Sequence, residues 1–361
     1  MNAQWSPKPV GATLALCVSS LTGLVATCEP DPHSQLGIEP VLTPQRSGVS
    51  VRLQAVSAVD ENVVWVSGMA GTYARTKDGG KTWSAAVVPG TESLQFRDVD
   101  AFDENTAYLL SAGNGDRSRI YKTTDGGATW ALQFTNDEPN GFFDCMAFWD
   151  SNTGIAFGDA VDSEFIVIKT SNGTSWHRVP TDQVPDALPG EGGFAASGTC
   201  LITYGDSTAW FGTGGGDTAR VLKTTDRGAT WSATATPIMS DSMSGITSIA
   251  FLNDIRGLAV GGSVVQRHAQ HDNVAQSGDG GTTWTRAGRP THRGAIYGIS
   301  AVPGSSVPVF VAVGPGGADY TLDMGMTWVP LDTLNYWSVS FASRLAGWAV
   351  GPAGRVAKIT F

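Results

Sequence analysis

The 361-residue sequence predicts an all-β protein, a seven-bladed antiparallel β-propeller, and three observations carry that reading. A short motif recurs along the chain at the interval of a four-stranded unit. The composition, with 45 Gly, 12 Trp and 16% charged residues, favours short strands and many turns, and no long stretch has helical periodicity. The last repeat stops one strand short, while a spare strand precedes the first.

The motif reads Thr76-x-Asp78-x-Gly80-x-Thr82-Trp83, then Thr123-x-Asp125-x-Gly127-x-Thr129-Trp130 and Thr224-x-Asp226-x-Gly228-x-Thr230-Trp231. Two close copies follow, Ser277-x-Asp279-x-Gly281-x-Thr283-Trp284 and Thr321-x-Asp323-x-Gly325-x-Thr327-Trp328. A sixth, from Thr170 through Asn172 to Trp176, is one residue short. An Asp carboxylate can accept hydrogen bonds from backbone N–H groups a few residues on, and Gly supplies the positive φ of a tight turn. Asp78, Asp125, Asn172, Asp226, Asp279 and Asp323 are therefore expected to be structural. Each Trp can bury roughly 150–250 Å², so the six rings are expected to cement blade to blade.

Successive motif tryptophans lie 47, 46, 55, 53 and 44 residues apart, the length of a four-stranded blade. Within one period a strand over 143–149 is followed by the turn Asp150-Ser151-Asn152 and a second strand ending at Gly158. A third covers 165–170, and the fourth begins at the motif Trp. After Trp328, segments 336–342, 345–351 and 355–361 supply three strands. Residues 36–43 are expected to supply the fourth strand of the seventh blade, closing the ring and removing an open edge.

A single propeller domain over 36–361 follows, because repeats enlarge one fold rather than adding domains. Ahead of it, residues 1–28 read as an export signal: Lys8, an apolar run from Val10 to Ala26, then charge at Glu29 and Asp31. The stretch Leu24-Val25-Ala26-Thr27-Cys28 resembles a lipoprotein cleavage box with acylation at Cys28, although Thr27 stands where Gly, Ala or Ser is usual. Residues 29–35 are read as a linker. The expected location is outside the cytoplasm, whether periplasmic, lipid-anchored or secreted, with membrane attachment through the N-terminus alone. Cys145 and Cys200 fall at nearly equivalent places in consecutive repeats, either as a disulfide between neighbouring inner strands or as two buried thiols.

A net charge of −10 with no dense Lys/Arg cluster lacks the attraction that draws proteins to phosphate backbones, so no nucleic-acid partner is expected. No Ser-His-Asp arrangement, phosphate-binding glycine loop or dinucleotide fingerprint stands out, and no cofactor is expected. His268, His271 and Asp272 carry ligand chemistry but sit in a polar loop, and no metal is expected there.

Strand order puts the motif turns and other short turns on one face, and the loops after second and fourth strands on the other. Those second loops vary in length, over 111–117, 158–164, 212–218, 262–273 and, longest, 177–193. Length variation on one face of a repeat protein marks its binding face. The ligand-binding candidates there are Arg97, Asp98, Phe142 and Trp337. Asp144, Asp159 and Glu191 are catalytic candidates, since paired carboxyls can perform acid/base work on a sugar and one buried among rings can keep its proton.

The motif matches the Asp-box, or bacterial neuraminidase repeat. With the segment Ile120-Tyr121-Lys122-Thr123-Thr124-Asp125-Gly126-Gly127, the blade pattern resembles the photosystem II stability and assembly factor family, and more closely its bacterial relatives outside photosynthesis. The resemblance covers 36–361, and 142–158 and 190–200 are its most characteristic parts. It implies a non-catalytic role in which one propeller face holds a protein. Family members use an arginine-rich patch for this, and the acidic chain shows no counterpart. Sialidases share the box, but the Arg-Ile-Pro motif of their first blade is not found; xyloglucan-active hydrolases pair two such propellers, and this chain supplies one. The expectation is an exported, monomeric binding or assembly propeller that holds a protein or glycan on its long-loop face. The alternative is a glycan-active hydrolase or lyase using carboxylates of the same face.

Overall fold

The computed structural model describes residues 39–266, 269 and 271–361. The export-signal and linker segments, and His268 of the candidate metal loop, lie outside the described residues. Residues 41–360 form seven four-stranded antiparallel sheets. The first strand of each sheet packs against the first strands of its neighbours, and the seventh returns to the first, which makes a closed ring of blades. Blades 1 to 6 cover 53–87, 96–135, 143–178, 201–235, 244–286 and 298–332. The inner strands are buried almost throughout, as at Phe143–Asp150, while an outer strand such as Ser84–Val87 is exposed at every position. The core therefore lies between blades and toward the axis.

Blade 7 joins Ser338–Ser343, Ala346–Val350 and Arg355–Thr360 to Val41–Arg46, paired from Val41 opposite Thr360 to Arg46 opposite Arg355. The closing strand thus ends three residues later than its expected span. Gln45 accounts for the register: its Oε1 accepts from Trp348 Nε1 at 3.1 Å and Trp83 Nε1 at 3.3 Å, and its Nε2 donates to the Gly79 carbonyl at 3.0 Å. One side chain on the closing strand so ties blade 7 to the repeat turn of blade 1.

The repeat turns share one geometry. In blade 1, Asp78 Oδ1 accepts from Thr82 N at 2.9 Å and from Thr76 Oγ1 at 2.8 Å. Asp78 Oδ2 accepts from Thr82 Oγ1 at 2.6 Å, and Gly80 N donates to Thr76 Oγ1 at 2.9 Å. The shortened copy keeps the logic, with Asn172 Oδ1 accepting from Thr174 N and Ser175 N and Gly173 N donating to Thr170 Oγ1. Each motif Trp packs into the seam between its own blade and the preceding one: Trp83, Trp130, Trp176, Trp231, Trp284 and Trp328 fill six seams. At about 25 cal/mol per Å², each ring contributes several kcal/mol as an upper estimate. Blade 7 carries no repeat turn, and a groove of about 680 Å³ lies where it meets blade 6, lined by Leu42, Pro44, Leu334 and Tyr336 among others.

Candidate functional site

The inner strands of blades 1, 2, 3 and 5 each carry a bulge near the long-loop end, at Gln54, Arg97, Asp144 and Thr247. A bulge adds one residue to the strand and re-aims its side chain. Arg97 and Asp144 are thereby presented at the same end of adjacent blades.

Across this end runs the segment 193–199, which follows the long loop after blade 3. The Gly193 N–H donates to Asp159 Oδ1 at 2.7 Å, and the Ala195 carbonyl accepts from Arg97 Nη1 at 3.0 Å. Ser197 donates to the Tyr297 carbonyl at 2.6 Å and accepts through its own carbonyl from Ser338 Oγ at 2.9 Å. The Thr199 carbonyl accepts from Ile249 N, and its hydroxyl meets Ser248 Oγ at 2.6 Å. These partners belong to blades 2, 3, 5, 6 and 7, so the segment crosses the centre of the ring and plugs it.

Small residues make the plug fit. A Cβ on Gly192 would stand 2.4 Å from Asp159 Oδ1, one on Gly193 2.4 Å from Asp144 Oδ2, and one on Gly198 2.4 Å from Asp98 Oδ1. Both ends are fastened. Cys145, beside Asp144 on the inner strand of blade 3, is disulfide-bonded to Cys200, immediately after the plug, with Cα atoms 6.0 Å apart. Before the plug, Glu191 Oε2 accepts from Arg220 Nη2 at 2.5 Å and Leu188 N at 2.8 Å. Its Oε1 accepts from Arg220 Nε at 2.9 Å and Thr213 Oγ1 at 2.5 Å.

Burial governs the charges around the plug. It pushes the Asp144 carboxyl well above the usual range, the neighbouring Asp159 adds to the rise, and Arg97 opposes it. Asp144 is 1% exposed and its Oδ2 has no hydrogen-bond partner. Asp98 is likewise raised by burial, against the pull of the Met146 N–H at 2.7 Å. Asp159 is raised to about 6 by burial, which the Gly193 N–H resists. Burial and then the nearby Arg52 cation lower Arg97 from its ordinary value.

Of the other candidates, Trp337 stacks under Arg52, whose guanidinium carbon lies 4.1 Å from the ring centroid, and meets Tyr297 at 4.9 Å. Phe142 bridges to Asn114, and its carbonyl accepts from Asp159 N at 2.8 Å. Arg97, Asp98, Asp144 and Asp159 are gathered around the plug. In the candidate metal loop, the Asp272 carboxylate is taken by Arg286 and Arg289, both at 2.8 Å.

Two cavities adjoin the plug. On the long-loop face a pocket of about 410 Å³ is lined by Asn140, Asp159, Leu188, Gly193, Phe194 and Ser242 among others. A second, of about 240 Å³, is lined by Asp98, Asp100, Ser197 and Thr199 among others. Sequence reasoning passed over Asp100, which burial raises to about 7 against the Phe148 N–H bond at 3.1 Å, and Arg220, the partner of Glu191. It ended the long loop at Gly193 and gave 194–199 no place in the site. The run Gly192-Gly193-Phe194-Ala195-Ala196-Ser197-Gly198 has few polar side chains for a surface loop, which was a signal of its burial.

The fold and this central site define a disulfide-pinned, seven-bladed β-propeller whose channel is closed by its own chain. No protein-family model matches the chain. The sequence is similar to Xyloglucanase Xgh74A of Acetivibrio thermocellus, 27% identical over 292 residues that cover 70% of this chain and 32% of that protein. The chain therefore spans about a third of the length of the curated relative it matches. Among solved structures it is similar to YCF48 bound to D1 peptide, with a TM-score of 0.60 and 16% identity over 89% of this chain and 95% of that one. YCF48 from Cyanidioschyzon merolae gives a TM-score of 0.60 and 16% identity over 88% and 98%. U3-55K also reaches 0.60, at 13% identity over 89% and 98%. At these identities the likeness is one of fold.

Proposed function

We propose that this chain is a non-catalytic binding propeller of the Asp-box type that holds an extended segment of a partner protein on its long-loop face. The observation that carries the reading is the state of the three candidate carboxylates. Glu191 is saturated by Arg220, Thr213 and Leu188, and Asp144 is buried behind Gly193, so of the three only Asp159 lines the long-loop pocket with a carboxylate oxygen left for a ligand. Hydrolysis by paired carboxylates needs two groups flanking an accessible substrate, roughly 5 to 9.5 Å apart. The YCF48 neighbour bound to a peptide lends support, since that protein shares the fold. Export is part of the proposal, supported by the Cys145–Cys200 bond, because disulfides persist in oxidising compartments.

A second reading, cleavage of a xyloglucan-like glycan, is favoured by the 27% identity to the xyloglucanase. Two assays on the purified full chain separate them. Selection from a random peptide display library is expected to yield binders that compete with one another for the long-loop face. Incubation with xyloglucan is expected to release no reducing ends; release that disappears in Asp159→Asn would overturn the proposal.

A further inference from the structure

We propose that the pocket beside Asp159 receives a cationic group from the bound segment, a Lys or Arg side chain or a free amino terminus, with apolar residues next to it. This rests on the reading of the long-loop face as a peptide site and names the chemistry of its partner.

Charge in the pocket is one-sided. Its lining contains two carboxylates, Asp159 and Glu191, and no Lys or Arg. Arg220 neutralises Glu191 through a bidentate pair, which leaves Asp159 as the uncompensated charge. Asp159 Oδ1 is taken by the Gly193 N–H, so Oδ2 is the atom left to a ligand. Behind the same wall stands Asp144, whose Oδ2 is buried without a partner and directed at Gly193. Arg97, the cation facing Asp144, spends Nη1 on the Ala195 carbonyl and Nη2 on Gln95. A desolvated cation in the pocket meets the Asp159 carboxylate directly, with no Lys or Arg of the lining to compete for it.

The rim supplies the rest of the recognition. Leu188 borders the pocket and is 38% exposed. Met243, next to the lining residue Ser242, is 41% exposed, and its carbonyl holds Val264, beside Val265 at 58%. Leu188 thus gives the negative pocket an apolar border, and the exposed Met243 and Val265 follow the lining residue Ser242 along the same backbone path. An extended segment with a basic residue flanked by apolar ones complements both.

The test uses the full chain and two probes. In an NMR titration, n-butylammonium is expected to shift the Gly192 and Gly193 amides saturably in the wild type and about tenfold more weakly in Asp159→Asn, the scale of one lost charge contact. Butanol is expected to leave them in place. Equal shifts with butanol, an unchanged response in Asp159→Asn, or a saturable response to calcium alone would each overturn the inference. In the display selection, binders are expected to carry Lys, Arg or a free amino terminus at one fixed position, and to lose that enrichment on Asp159→Asn. Binders to the long-loop face without such a residue would leave the peptide reading standing and overturn this one. A selection without binders would overturn the peptide reading itself, and the butylammonium titration would still judge the pocket.

Discussion

Arg220 closes on Glu191 through two hydrogen bonds, at 2.5 Å from Nη2 and 2.9 Å from Nε, and the Glu191 side chain is fully buried. The pair anchors the long loop just before the plug. Removing one partner of such a pair strands the other charge away from water, which costs more than the pair itself contributes. Glu191→Ala is expected to lower the unfolding free energy by roughly 3 kcal/mol in urea titrations. Glu191→Met combined with Arg220→Leu should recover most of that loss.

The disulfide fastens the other end. Joining residues 55 apart restricts the unfolded chain, and a native bond of this kind contributes about 2–5 kcal/mol. Cys145→Ser with Cys200→Ser is expected to lose that amount by thermal melting. Both cysteines are fully buried, so dithiothreitol added to the folded wild type should leave it oxidised, as thiol counting under native conditions would report.

Gly193 is irreplaceable for a local reason. Gly193→Ala places a Cβ 2.4 Å from Asp144 Oδ2 and 2.8 Å from the Phe211 ring, and is expected to cost about 1–3 kcal/mol. Gly278→Ala meets nothing within 4 Å and should change stability by less than about 0.5 kcal/mol. Parallel urea titrations of the two variants check the contrast.

Stability should depend on pH in two opposite senses. Thr82, Thr129 and Thr283, through their hydroxyls first and their N–H groups second, hold Asp78, Asp125 and Asp279 at about 2. Those carboxylates stabilise the fold above their unfolded value of 3.8, and that stability is lost as pH falls toward 2. Asp159 and Asp100 are raised to about 6 and about 7 by burial, so their contribution is full below 3.8 and is lost as pH rises through 6 and 7. The urea midpoint is expected to climb from neutral pH to about pH 4 and to fall below it. Asp100→Asn, which keeps an acceptor for Phe148 N, should flatten the neutral side of that curve alone.

Legibility in the sequence followed distance along the chain. The repeat turns are local, with Asp78 bonding a residue four positions on, and their period counts the blades. The plug depends on partners far away: Arg97 and Ala195 are 98 residues apart, and Ser197 and Ser338 are 141 apart. No local pattern encodes such pairs. Asp144 and Asp159 read as carboxylates at the right end of the right strands, yet one is buried and the other opens on a pocket, a difference made by Gly192 and Gly193 from another loop. Glu191 looked free because Arg220 lies 29 residues on, across a different blade.

The claim that the long-loop face is the binding surface is tested most directly by amide hydrogen exchange of the full chain with and without a selected peptide. Slowed exchange at 140–142 and 187–193, with the repeat turns at 78–82 and 125–129 unchanged, is the predicted result. Slowing confined to those repeat turns would contradict it.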